Sequence, residues 1–199
     1  MKVILVRHGE TAENVAHRHQ PNATSLSIRG RQQAVAVGEK LAKCGVTHVL
    51  SSPLNRALQT ASLIANQADL IPSINHDLAE LERPRSMTGH KHFSLRSLFF
   101  YKFWFLGFAQ GGESYRQLRQ RILRVKTQLE TLPPDAVVAV ASHTVFINLF
   151  LAHLHRRWPL WPWQAAWVFL KLVRMPNGGT IELTYQANRW TRTSDLNLS

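Results

Sequence analysis

Cysteine is all but missing. Cys44 is the only one in 199 residues, so no intrachain disulfide can form and the chain fits a reducing compartment. Placed inside a helical pattern, that thiol is expected to be a small core residue. Acidic residues are scarce as well: 12 Asp and Glu stand against 24 Lys and Arg, a formal net charge of +12, with ten histidines besides. Such a field draws anions, whether phosphorylated metabolites, nucleic acid or an acidic membrane surface, and does not choose among them. No apolar run reaches the length of a membrane span, and the short one at the N-terminus is broken by Arg7, so neither a transmembrane helix nor a signal peptide is expected. Repeats and linkers are lacking too. With 45% hydrophobic residues, the expectation is one soluble, cytoplasmic domain over residues 1–199 with a substantial core.

What the chain does have is apolar runs that stop on chemistry. Val3–Val6 predicts a buried parallel strand, and it ends in Arg7-His8-Gly9. Ligands of open α/β sheets bind at that carboxyl edge. Arg7 offers a planar fork for phosphate oxygens, His8 a nitrogen that can be neutral and nucleophilic, and Gly9 close approach of backbone to a ligand. Val46–Leu50 predicts a second strand, followed by Ser51-Ser52-Pro53 and a helix to about Asn66 with Pro53 in its first turn. Arg56 falls in that first turn, where a cation opposes the helix dipole unless an anion is bound there; otherwise its stem snorkels outward. Ala136–Ala141 predicts a further strand ending in Ser142-His143-Thr144. Were the two His-ending strands adjacent and parallel, His8 and His143 would lie side by side.

The intervening segments read less sharply. Residues 12–25, with Asn14, His17 and His19, predict an irregular loop that could hang over the carboxyl edge, His17 and His19 themselves being solvated. Ser27 caps a predicted helix over 28–43 that Gly45 ends, and Gly30, Ala34 and Gly38 form a smooth stripe for packing on a sheet. Leu70–Ile74 predicts a short strand leading to Glu80 and Glu82, two carboxylates on one face at period two. Residues 84–110 interleave Arg85, His90, Lys91, His92, Arg96 and Lys102 with aromatics. About 93–106 should be helical, serving as core, as a lid, or, through 93–108, as a membrane-surface or partner contact. A long helix to about Leu132 carries Arg116, Arg119, Arg121, Arg124 and Lys126 as a solvated face. Residues 156–168 predict a Trp-rich packed loop, and 165–174 a helix or strand. Asn177-Gly178-Gly179 is a turn, Thr180–Tyr185 a strand, and the tail after Trp190 is polar.

Together, Arg7-His8-Gly9-Glu10-Thr11 with Asn14, Leu26 to Ala34, Ser51 to Ala61, Leu78-Ala79-Glu80, Gly111-Gly112-Glu113-Ser114 and Ser142-His143 resemble, in order, the histidine phosphatase superfamily, the phosphoglycerate mutase-like family. The resemblance implies a three-layer α/β/α fold with a mostly parallel central sheet, on which the aromatic-basic stretch at about 84–110 reads as an insertion or lid. It implies that His8 is the nucleophile and forms a phosphohistidine, and that Arg7, Arg56 and His143 hold the phosphoryl oxygens with Asn14 assisting. Glu80 would protonate the leaving oxygen, a part that burial would favour, and then activate water. No metal or organic cofactor would be needed. Two departures stand out: Thr144 where the family usually has glycine, and Leu81-Glu82-Arg83-Pro84 after Glu80, which leaves the acid open between Glu80 and Glu82. The function so implied is a phosphomonoesterase acting on a phosphorylated small molecule or phosphoprotein. Phosphoglycerate mutase-type transfer is one alternative, and a catalytically weak anion- or phosphoprotein-binding module another. No specific nucleic acid is expected, and the oligomeric state stays open.

Overall fold

A computed structural model describes residues 1–92, 94–106, 108, 111–155 and 175–196. Its strands are β1 (Lys2–Arg7), β2 (His48–Ser51), β3 (Ser73–Ile74), β4 (Val137–Ser142), β5 (Thr180–Gln186) and β6 (Arg189–Leu196). Its helices are α1 (Ala12–Val15), α2 (Ile28–Lys43), α3 (Asn55–Asn66), α4 (Leu95–Phe105), α5 (Tyr115–Glu130) and α6 (Thr144–His153). The strands form one sheet in the order β3-β2-β4-β1-β5-β6. β1, β2, β3 and β4 run parallel, while β5 and β6 are antiparallel additions on one side.

The alternation of β1 sorts the core. Val3 and Leu5 join Leu118, Ile122 and Phe146 on one face of the sheet; Ile4 and Val6 join Val37, Leu41 and Ile64 on the other. Hence α2 and α3 cover one face and α5 and α6 the other, which is the expected three-layer arrangement. Ser27 accepts the Gly30 N–H as the cap of α2, and Gly45 ends that helix at φ +70°. There the Val46 N–H reaches Leu41 O and the Gly45 N–H reaches Ala42 O, closing the orphan carbonyls. Among the described residues no helix is long and apolar enough to cross a membrane.

Several local expectations change. Cys44 is the exposed C-cap of α2 and not a core residue. Pro53 precedes α3, which starts at Asn55 after Leu54, since Ser52 Oγ already accepts the Leu54 N–H. The small-residue stripe of α2 packs on α3 and a loop, not on the sheet: a Cβ on Gly38 would meet Gln67 and Ile64, and one on Gly30 would meet Glu10 O at 2.1 Å. Residues after Trp190 continue as β6, an edge strand whose polar composition hid it. The aromatic segment is divided: Phe100 and Trp104 are core, whereas Leu95, Leu98, Phe99, Leu106 and Phe108 are exposed. Expectations for residues 156–174 lie outside the described residues.

Candidate active site

β1 and β4 lie side by side with Arg7 opposite Ser142, so the residues that follow each strand meet. The His8 N–H donates to Ser142 O at 3.0 Å, and the rings of His8 and His143 stand 5.1 Å apart. Both are buried. Nδ1 of His8 lies 2.8 Å from Gly9 O. A carbonyl only accepts, so Nδ1 carries the proton in the neutral ring and the lone pair is left on Nε2. Burial, then the Arg56 and Arg7 guanidiniums, push this imidazole well below its ordinary value of 6.5. The ring is thus held in the form that can attack.

His143 is set by a different contact. Its Nε2 lies 2.8 Å from Ser52 Oγ, and that hydroxyl already accepts the Leu54 N–H at 3.2 Å. With the hydroxyl donating its own hydrogen to Nε2, the arrangement that lets Nδ1 serve as a donor, the His143 proton sits on Nδ1. That Nδ1 is buried and has no partner. Burial, followed by Arg56, His8 and Arg7, holds this imidazole too well below its ordinary value.

The two arginines repeat the theme. Arg56 is buried, not snorkelling outward; Nη1 donates to Pro21 O at 3.1 Å while Nε has no partner. Arg7 donates through Nη1 to Met175 O, and its Nε is likewise orphaned. Burial lowers each to about 10, with Glu80 opposing the shift. Three buried nitrogens without a partner, on groups whose charge or ring bears on His8, make a centre of positive potential suited to an oxyanion.

The remaining predicted residues fall around this centre. Asn14 is half-buried and its Oδ1 accepts from Asn177 Nδ2 at 2.8 Å and from Thr11 Oγ1 at 3.1 Å, which leaves its NH2 as the end able to donate. Glu80 and Glu82 do not share a surface. Glu82 is exposed, whereas Glu80 takes the Phe146 and Val145 N–H groups at the start of α6, at 3.2 and 3.3 Å, and that of Leu81 at 3.0 Å. The burial expected for Glu80 is only partial; its orientation comes from a helix N-terminus instead. Gly9 serves an end that was not anticipated. A Cβ there would meet Gly30 O at 2.3 Å, so Gly9 also lets the loop press on α2. His17 is exposed as expected, but His19 is buried, donating to or accepting from Ser97 Oγ at 3.0 Å and lying 4.7 Å from the His92 ring.

Three contributors escaped the sequence reading. Ser52 sets the His143 ring; its position just past a strand's carboxyl edge was the available signal. Asn177 ties Asn14 to His8 O and Gly9 O, both at 3.3 Å. Arg121, expected on a solvated face, forks onto Glu113 with two bonds of 2.6 Å and donates to Asp77 O and Ala79 O at 2.6 and 3.0 Å. It thereby pins the turn that presents Glu80. Arg124 adds a bidentate pair with Asp77.

Known proteins resemble this chain in sequence and in overall fold. A family model described as the histidine phosphatase superfamily (branch 1) matches residues 3–194. A protein named probable phosphoglycerate mutase GpmB, from Salmonella paratyphi B, is 29% identical over 198 residues, covering 96% of this chain and 87% of that protein. A mycobacterial glucosyl-3-phosphoglycerate phosphatase, solved with VO3, is 27% identical, with a TM-score of 0.79 and 97% of each chain covered. A structure titled mycobacterial hydrolase 1 is 26% identical, with a TM-score of 0.81, covering 100% of this chain and 99% of its own.

Proposed function

The chain belongs to the histidine phosphatase superfamily, branch 1; we propose that it is a phosphatase that hydrolyses phosphomonoesters of small molecules through a phosphohistidine on His8. The observation that supports this best is the set of unpartnered buried donors, Arg7 Nε, Arg56 Nε and His143 Nδ1, around a His8 ring whose Nδ1 is occupied. Phosphoryl transfer asks for in-line placement and for positive charge at the equatorial oxygens, and these groups can supply both.

In the first step the Nε2 lone pair of His8 forms a bond to phosphorus while the bond to the leaving oxygen breaks. Glu80 gives that oxygen its proton and becomes a carboxylate. In the second, Glu80 takes a proton from water as the water oxygen bonds phosphorus, the N–P bond breaks, and inorganic phosphate leaves with both groups restored. Arg7, Arg56 and His143 hold the phosphoryl oxygens throughout, with the Asn14 NH2 beside them. Nothing in these steps needs a metal or organic cofactor. Residues 84–110 then act as a cover on a single domain, the exposed apolar residues of α4 being available for a membrane-surface or partner contact. The same chemistry would serve a phosphoprotein.

Mutase-type transfer is a second reading, favoured by the GpmB relative. The test is turnover of an aryl phosphate and of phosphoglycerates by wild type and His8→Ala, with acid-quenched protein assayed for acid-labile phosphoryl on His8. Free phosphate with a labelled wild type and an unlabelled, inactive variant is expected. Isomerised substrate without phosphate would shift the assignment to a mutase. Absence of turnover with tight polyanion binding would shift it to a binding module.

A further inference from the structure

Arg83 is a third guanidinium near the centre, and phosphoryl binding by Arg7 and Arg56 does not account for it. It is half-buried. Its Nε donates to Tyr101 Oη on α4 at 2.9 Å and its Nη1 to Leu81 O at 3.5 Å, with the guanidinium 6.0 Å from the Tyr101 ring centre. Among the described residues no carboxylate makes an ion pair with it. Tyr101 and, from further off, Glu80 favour its charge, which leaves the first contact shell of the guanidinium open to an anion.

Its place says which ligand. Glu80 marks the side on which the leaving oxygen departs, and Arg83 follows three residues later, within about 10 Å along the chain. Its charge is felt at His143 and Arg56 on one side and at His19 and His92 on the other. No acidic residue occurs between positions 83 and 112, and Arg85, His90, Lys91 and His92 crowd that stretch. With Nε fixed by Tyr101, the outer nitrogens are presented as a fork that suits two anionic oxygens.

We propose that Arg83, positioned by Tyr101, binds an acidic group, a carboxylate or a second phosphate, carried on the leaving-group half of the substrate. This rests on the phosphatase reading above and deepens it. Arg83 is a specificity residue and Tyr101 a positioning residue, which links α4 to substrate choice.

The experiment compares kcat/KM within two matched pairs: 3-phosphoglycerate against glycerol 3-phosphate, and fructose 1,6-bisphosphate against fructose 1-phosphate. Wild type should favour the acidic member of at least one pair by about ten-fold or more, mostly through KM, and the pair that shows it tells carboxylate from phosphate. Arg83→Gln should collapse that ratio towards one. Tyr101→Phe, which keeps the guanidinium and the ring, should shrink it by about three-fold and serves if the first variant folds poorly. Equal turnover within both pairs by wild type, or a preference that survives Arg83→Gln, overturns the assignment while leaving the phosphatase intact. No turnover of any of the four overturns the assignment alone if an aryl phosphate is still hydrolysed, and overturns both if it is not.

Discussion

Replacing Ser52 by Ala tests the arrangement at its least obvious point. The hydroxyl accepts from Leu54 N and, 2.8 Å from His143 Nε2, dictates where that ring carries its proton. Removing it leaves two buried polar groups short of a partner, a loss of about 1–3 kcal/mol of stability. The His143 proton is then free to sit on either nitrogen, so in part of the population Nδ1 no longer donates to the phosphoryl oxygens. Deleting an oxyanion donor outright lowers kcat by about 10²–10³; misplacing its proton should lower kcat/KM by about 10- to 100-fold. The assay is steady-state hydrolysis of an aryl phosphate, with active enzyme counted from the phosphohistidine burst, beside inhibition by vanadate as a mimic of the transferring group. Turnover per active site and vanadate affinity should fall together. If both stay within about three-fold of wild type while only the melting temperature drops, Ser52 is a structural hydroxyl and the proton assignment is wrong.

Glu80→Gln should lower kcat by about 10²–10⁴ on alkyl phosphates but much less on a nitrophenyl phosphate, whose leaving group needs no proton; an equal loss on both would remove Glu80 from acid catalysis. Stability should fall with acid. His8 and His143 stay neutral when folded, and burial lowers His19 to about 3, whereas the unfolded rings take protons near 6.5. The unfolded state therefore binds more protons below that value, and each ring removes up to about 1.4 kcal/mol per pH unit as the pH falls. Urea unfolding at pH 7.5, 6 and 5 in buffer free of phosphate reads the slope, and His19→Gln should reduce it. A flat profile would mean that these rings are not held neutral.

The centre was legible where a side chain ends an apolar run. Arg7, His8 and His143 needed only the parallel pairing of two buried strands to come together, and Arg56 only its misfit with a helix dipole. What stayed hidden was set by bonds between distant segments. Ser52, Asn177 and Arg121 are ordinary polar residues until Leu54, Asn14 and Ala79 are placed beside them. Gly9 was matched to the right property, close approach, but its contact with Gly30 stayed hidden because Gly30 lies across a loop and not next to it in sequence. β6 alternates little, with Thr191, Arg192 and Thr193 all exposed, so periodicity could not register it. For Glu80 and Glu82 the period-two inference failed because residues 79–84 form no strand.

The central position of β1 has a consequence for biosynthesis. This strand is synthesised well before its partners, which begin at Val137 and Thr180. Both of its edges stay bare until those distant segments exist, and such distant closure is slow. Fragments halted before β4 would carry an unpaired Val-Ile-Leu-Val ribbon, the kind of segment that holdase chaperones shield and that otherwise seeds inclusion bodies.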